Sequence, residues 1–165
     1  MTRWTEEQER AIALSERRLL ISAAAGSGKT AVLTERIVAR VIDPKHPVDI
    51  DELLIMTFTR AAAAEMRERI RRRLEDCLQQ ALRDGEAGIA ARAKRELAEL
   101  DAARITTIDS FCLTVLREYA DRLAVDPAFR VGSEEELRIL QNDVLEELLE
   151  EQYEKADPAF LRFAD

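Results

Sequence analysis

The chain has 165 residues, 47% of them hydrophobic, which is one domain's length with enough apolar content for a core and excludes a disordered segment. Its net charge of −8 is unevenly placed: residues 1–75 carry 14 Lys/Arg against 12 Asp/Glu, and residues 76–165 carry 11 against 21. That balance argues against tight duplex binding by this chain alone but leaves room for a local groove for single strands. Two distant cysteines, Cys77 and Cys112, and a lone His46 build no zinc or redox centre. No run of about 18 apolar residues occurs, so no membrane contact is expected. The N-terminus lacks the apolar core of a signal peptide, and a cytoplasmic location is expected.

In chain order, Thr5-Glu6-Glu7-Gln8 has the capping-box pattern and predicts a helix to about Leu14. Leu19-Leu20-Ile21-Ser22 predicts a short buried strand. A helix follows Gly28 and ends by Asp43-Pro44. Leu53–Thr57 predicts a second strand, and Ile105–Ile108, rich in β-branched residues, a third. Between them a long helix runs from about Arg60 towards Gly85, with Met66, Ile70, Leu74, Cys77 and Ala81 as its buried stripe. Arg67, Arg69, Arg71, Arg72 and Arg73 crowd the rest of that helix and read as a solvated face paired with Glu65, Glu68 and Glu75. Another helix covers roughly 89–102. Asp109-Ser110 opens a helix to about Leu123, with Cys112, Leu116, Tyr119 and Leu123 on one stripe. After the Asp126-Pro127 turn, Ser133-Glu134-Glu135-Glu136 caps an acidic helix with Leu137, Leu140, Val144 and Leu148 inward, and Asp157-Pro158 begins a last short helix. Strand, helix, strand, helices, strand, helix argues for a helix-rich α/β layer on a parallel sheet.

Ala23-Ala24-Ala25-Gly26-Ser27-Gly28-Lys29-Thr30, between the first strand and its helix, is a P-loop arrangement. Gly26 and Gly28 allow the backbone to curl so that successive N–H groups face a phosphate, and the helix N-terminus adds its dipole. Lys29 reaches the outer phosphates, and the Thr30 hydroxyl can join a Mg²⁺ shell. Ala23 stands where the first glycine is usual, the least demanding position because it only begins the turn. The competing reading is a glycine-rich turn with a chance lysine.

Thr57-Phe58-Thr59-Arg60 ends the second strand, at the sheet edge where open α/β folds bind ligands. An exposed Phe58 can stack on a base and the threonines can hold phosphate oxygens. A buried Phe58 ahead of an alanine-rich helix is the alternative.

Gln8, the glycine loop, Thr57–Met66 and Ile105–Cys112 together resemble four ordered motifs of superfamily 1A (UvrD/Rep-like) DNA helicases, and within that group the AddA component of helicase–nucleases of the AddAB type. The resemblance covers nearly the whole chain. It implies a partial RecA-like motor lobe over residues 1–125, followed at 126–165 by the start of an inserted helical subdomain. It also implies ATP and Mg²⁺ as cofactors, single-stranded or duplex-end DNA as ligand, and an AddB-like partner in a heterodimer. Gln8 would read the adenine edge, since an amide both donates and accepts, while also serving its cap. Trp4 would pack nearby or act as a plain anchor. Residues 23–30 would hold the nucleotide, with Lys29 and Thr30 the catalytic pair and Thr30 on the metal. Thr57, Phe58, Thr59 and Arg60 would line the strand path, and Thr107 and Ser110 would contact the DNA backbone. Asp109 departs from the family, which usually has His there. A carboxylate repels phosphate, so Asp109 reads instead as a helix N-cap.

No apolar strand in the sequence ends in the Asp-Glu pair that would hold Mg²⁺ and orient water; Asp51-Glu52 precedes its strand. The expectation is therefore an N-terminal piece of an end-unwinding helicase of double-strand break repair, with no turnover of its own. A UvrD/Rep-type helicase without nuclease and a non-catalytic nucleotide-binding module are the alternatives.

Overall fold

The computed structural model describes residues 4–14, 18–24, 26–126, 128–155 and 158–164. It divides into two units, residues 1–116 and 117–165.

The first unit begins with α1 (Glu6–Ala13), whose capping box forms as expected. The Thr5 N–H donates to Gln8 Oε1 at 3.0 Å, and the Gln8 N–H donates to Thr5 Oγ1 at 3.3 Å. Helix α2 (Lys29–Val41) follows the glycine loop, and a 3-10 turn at Ile50–Glu52 leads into β1 (Leu54–Thr57). Helix α3 (Arg60–Asp84) is closed by Gly85 at φ 75°, a left-handed position that a side chain would strain. Then come α4 (Ala87–Glu99), β2 (Arg104–Thr107) and α5 (Ile108–Glu118). The two strands pair in parallel, Leu54 opposite Arg104 and Thr57 opposite Thr107, so both carboxyl ends lie side by side.

The core joins Ile37, Val38 and Val41 of α2, Ile55 of β1 and Ile105 of β2 to the buried stripe of α3. That stripe is Met66, Ile70, Leu74, Cys77 and Ala81, the set read from its spacing, with Ala63 one turn earlier. The arginines beside it do more than meet solvent. Arg69 and Arg72 pair with Glu65 and Glu68 on their own helix. Arg73 instead forms a two-pronged pair with Glu35 of α2, at 2.6 and 2.7 Å. Arg71 meets Asp101, and Arg67 donates to the carbonyls of Leu100 and Ala103 ahead of β2. Those three fasten α3 to its neighbours. Glu96, fully buried, accepts the Ile50 N–H at 2.8 Å and lies 3.2 Å from Arg92 Nε, anchoring the turn that leads into β1.

Three expectations fail. Leu19–Ser22 is not a strand: Leu20 is 93% exposed, and among the described residues only β1 and β2 form a ladder. A lone apolar segment without a hydrogen-bonded neighbour or cover on both faces has no reason to become a strand. Ile108 belongs to α5 rather than to β2, and the helix from Asp109 breaks at Tyr119 before a short α6 (Ala120–Leu123). Cys112, Leu116, Tyr119 and Leu123 are exposed, not a buried stripe.

The second unit holds α6, α7 (Glu134–Lys155) and α8 (Pro158–Ala164). Ser133 caps α7 as expected, accepting the Glu136 N–H at 3.2 Å. The inward stripe is contradicted: Leu137, Leu140, Val144 and Leu148 are 50–58% exposed. Apolar residues run more than half way round this helix, so no single neighbour covers them. Tyr153 packs edge-on against Phe160 of α8, with ring centroids 5.1 Å apart. The expected turn at Pro127 and the start of α8 at Asp157 lie outside the described residues.

Candidate nucleotide and single-strand sites

The glycine loop takes the form its sequence requires. Gly26 and Gly28 sit at φ 76° and 79°, left-handed values that a Cβ would disfavour. Gly28 is the N-cap of α2, so the first free N–H groups of that helix open onto the loop. Lys29 folds back over it, and Nζ donates to the carbonyls of Ala23 and Ala24, each at 2.7 Å. Thr30 is exposed one residue further along. Ala25 lies outside the described residues.

Gln8 is attached to this loop. Its Nε2 donates to the Ser27 carbonyl at 3.2 Å while Oε1 accepts the Thr5 N–H. A Cβ on Gly28 would meet that same Nε2 at 3.4 Å, so a glycine keeps the approach close. A cleft of about 500 Å³ opens beside these groups, lined by Gln8 and Leu14 of the first segment, Leu19–Ala23, Lys29 and Val32. Ribose and base together fit a cleft of this size. Its wall has an apolar side in Leu19, Ile21 and Val32 and polar groups in Gln8, Ser27 and Lys29.

A second concavity, about 260 Å³, lies where β1 and β2 end, lined by Arg60, Ala63 and Arg67 on one side and Thr106, Thr107 and Ser110 on the other. Phe58 stands at this end of the sheet with its ring 93% exposed, so it is not a core residue. Thr59 is the N-cap of α3, accepting the Ala62 N–H at 3.1 Å, which leaves its hydroxyl hydrogen free. Thr57 has donated its own to the Thr59 carbonyl at 3.0 Å. Thr107 is buried; its Oγ1 accepts the Ser110 N–H at 3.2 Å and lies 2.9 Å from Ser110 Oγ. One hydroxyl hydrogen bridges that pair, and the other can point outward from the half-buried Ser110. Thr107 therefore caps α5. Asp109 is not the N-cap; it is an exposed residue of the first turn, where the helix dipole favours a carboxylate.

Two arginines that drew no notice in the sequence also belong to the first site. Arg36 and Arg40 of α2 donate to carbonyls at the end of α1, and burial followed by the charge of Arg40 draws the Arg36 pKa below its ordinary value. Their four-residue spacing on α2 is the only sequence signal for them.

The family model for the UvrD/REP helicase N-terminal domain matches residues 4–164. The chain belongs to this family. Among curated relatives, it is 48% identical over 162 residues to the AddA-type ATP-dependent helicase/nuclease component of Bacillus licheniformis, covering 98% of this chain and 13% of the relative. The proteins of the same name from Desulforamulus reducens and Geobacillus thermodenitrificans are 50% identical over 164 residues and 51% over 156. The chain thus spans about 13% of the length of such relatives. Among the described residues no helix is long and apolar enough to cross a membrane, and no group of three or more His, Cys, Asp or Glu side chains is placed to hold a metal ion.

Proposed function

We propose that this chain is the nucleotide-binding start of the first motor lobe of an ATP-dependent DNA helicase of the AddA helicase–nuclease type. In this reading residues 1–125 belong to the lobe and 126–165 begin an inserted helical subdomain. The whole protein opens duplex ends for a nuclease in double-strand break repair, works in the cytoplasm, and pairs with an AddB-like partner. The observation that carries the nucleotide reading is the juxtaposition of the Gly26–Lys29 loop, at the N-terminus of α2, with Gln8 beside one cleft. The relatives' shared name favours a nuclease-bearing protein over a UvrD/Rep-type helicase without one.

Phosphates seat on the free N–H groups of α2 and the loop, and Lys29 exchanges the Ala23 and Ala24 carbonyls for the outer phosphates. Gln8 reads the adenine edge from the cleft wall. The residues fit a hard cation only in part: Thr30 offers one oxygen of a Mg²⁺ shell, and nucleotide and water oxygens complete it. When bound, Mg²⁺ neutralises charge on the phosphates. At the second site Phe58 stacks on a base, Arg60 meets a phosphate, and Thr59 and Ser110 each offer a hydroxyl hydrogen to the DNA backbone. Thr57 and Thr107 shape that edge, because their hydroxyls are engaged in the turns after β1 and β2.

The test is Lys29→Ala with a fluorescent ATP analogue titrated against both proteins. Tenfold or greater weakening is expected; equal affinity overturns the assignment of the loop.

A further inference from the structure

Helix α1 carries Gln8, yet little apolar packing holds it. It has eight residues, none of them buried, and a helix so short is marginal in water on its own. What fixes it is polar and comes from α2. Arg36 Nη1 donates to the carbonyl of Ala11 at 2.7 Å and to that of Ile12 at 3.3 Å. Arg40 Nη2 donates to the carbonyl of Leu14 at 3.0 Å. These are carbonyls at the helix end, which have no partner within α1, and a cation there also complements the dipole. At the other end the hold is Gln8 Nε2 on the Ser27 carbonyl.

The spacing along α2 makes this one device. Residues 29, 36 and 40 are seven and four apart, two turns and one turn, and therefore share a helix face. Along that face Lys29 grips the glycine loop and the two arginines grip α1. The arginines are half-buried, so two like charges one turn apart are retained out of bulk water. That arrangement is unfavourable unless the carbonyls they serve compensate it.

We propose that Arg36 and Arg40 are positioning residues for base recognition: by clasping the end of α1 they set where Gln8 stands relative to the phosphate loop, and so determine preference for adenine over guanine nucleotides. The proposal rests on the reading of Gln8 as the residue that meets the base. It separates two parts of affinity. The phosphate grip belongs to the loop and Lys29, which the arginines do not touch. Base selectivity belongs to Gln8, which they place.

The experiment measures binding of ATP, GTP and inorganic tripolyphosphate to the chain and to Arg36→Gln, Arg40→Gln and the double variant Arg36→Met/Arg40→Met. Amide hydrogen exchange is followed in the same proteins. In the double variant, ATP affinity is expected to fall about tenfold towards that of GTP, with tripolyphosphate affinity within twofold of the parent. Exchange should quicken in residues 6–14 and stay unchanged in α3. The glutamine variants keep a donor and should retain an intermediate ATP preference. An unaltered ATP-to-GTP ratio in a double variant whose α1 exchanges faster overturns the proposal and leaves the nucleotide reading standing. Equal loss of ATP and tripolyphosphate overturns it too, because the arginines then support the loop and not the base. A parent chain that binds tripolyphosphate but shows no preference for ATP over GTP removes the role of Gln8, and with it this proposal. A double variant that fails to fold leaves the decision to the two glutamine variants, where unchanged selectivity with faster α1 exchange again overturns it.

Discussion

A phenylalanine ring held 93% in water forgoes the roughly 1.5–3 kcal/mol that its burial would contribute to the fold. Phe58 stands between Thr57 and the α3 cap at Thr59, so its place is set by backbone turns rather than by packing. Phe58→Ala should therefore leave stability within about 0.5 kcal/mol of the parent. In the full-length protein it should weaken single-strand binding by about 1–3 kcal/mol, the contribution of one base–aromatic stack. Arg60→Ala should instead lower the slope of log K against log salt by about 1. Titration of a labelled oligonucleotide at several salt concentrations separates the two, and unchanged affinity for Phe58→Ala would remove the ring from the strand path. The residue types at this edge were legible in the sequence, but which hydroxyls remain free was not. That depends on local bonds such as Thr107 to Ser110, which compete with a ligand for the same atoms.

At the scale of single elements, helices with one covered stripe were readable and those without a neighbour were not. The spacing of Met66, Ile70, Leu74 and Cys77 located the buried face of α3 because α2, α4 and the sheet all meet it. The same rule misassigned α7, where Leu137, Leu140, Val144 and Leu148 have the spacing but no cover. Periodicity states which residues could be buried together; burial also needs a partner. Capping signals are more local, and both capping boxes formed. The one before α7 gives a pH-dependent prediction. Bonds to the Arg130 guanidinium, then to the Ser133 backbone, lower the Glu136 pKa from its ordinary value to about 2. A carboxylate with a lowered pKa in the folded state contributes stability above its unfolded value, and that contribution is lost as pH falls from about 4.5 through about 2. The helical signal at the start of α7 should decline across that window, and Glu136→Gln, with no charge to lose, should make it flatter. Residue-resolved chemical shifts of 133–138 at several pH values check this; parallel curves for the two proteins would show that the Glu136 charge is not what holds this cap.

For the molecule as a whole, the chain contains a phosphate grip but not a hydrolytic set, and we expect it to bind nucleotide without turning it over. Hydrolysis needs a placed metal, an oriented water and positive charge against the γ-phosphate. Within these residues Lys29 and Thr30 are the groups placed for that work, and Asp51 and Glu52 lie in the turn before β1, at the opposite end of the strand from the ligand edge. A missing arginine finger alone costs a factor of about 10³–10⁵ in rate. The fold agrees with a lobe that needs further strands: Leu54 and Met56 of β1 are 43% and 41% exposed, and Leu19, Leu20 and Ile21 are exposed beside the loop they feed. Here the sequence pattern was a sound guide to the lobe and an unsound one to its sheet, since Leu19–Ser22 has a strand's composition but no ladder to join. The uncovered surface should also make the chain self-associate as its concentration rises, visible as a mass increase in sedimentation. Phosphate release is to be measured with single-stranded DNA present and Lys29→Ala as the blank, at a concentration where the chain is monomeric. The parent should match the blank while still binding a fluorescent ATP analogue. Release at helicase-like rates would mean that a catalytic carboxylate and a cationic partner for the γ-phosphate lie among these 165 residues, and the assignment of Lys29 and Thr30 as the whole of the local chemistry would fall.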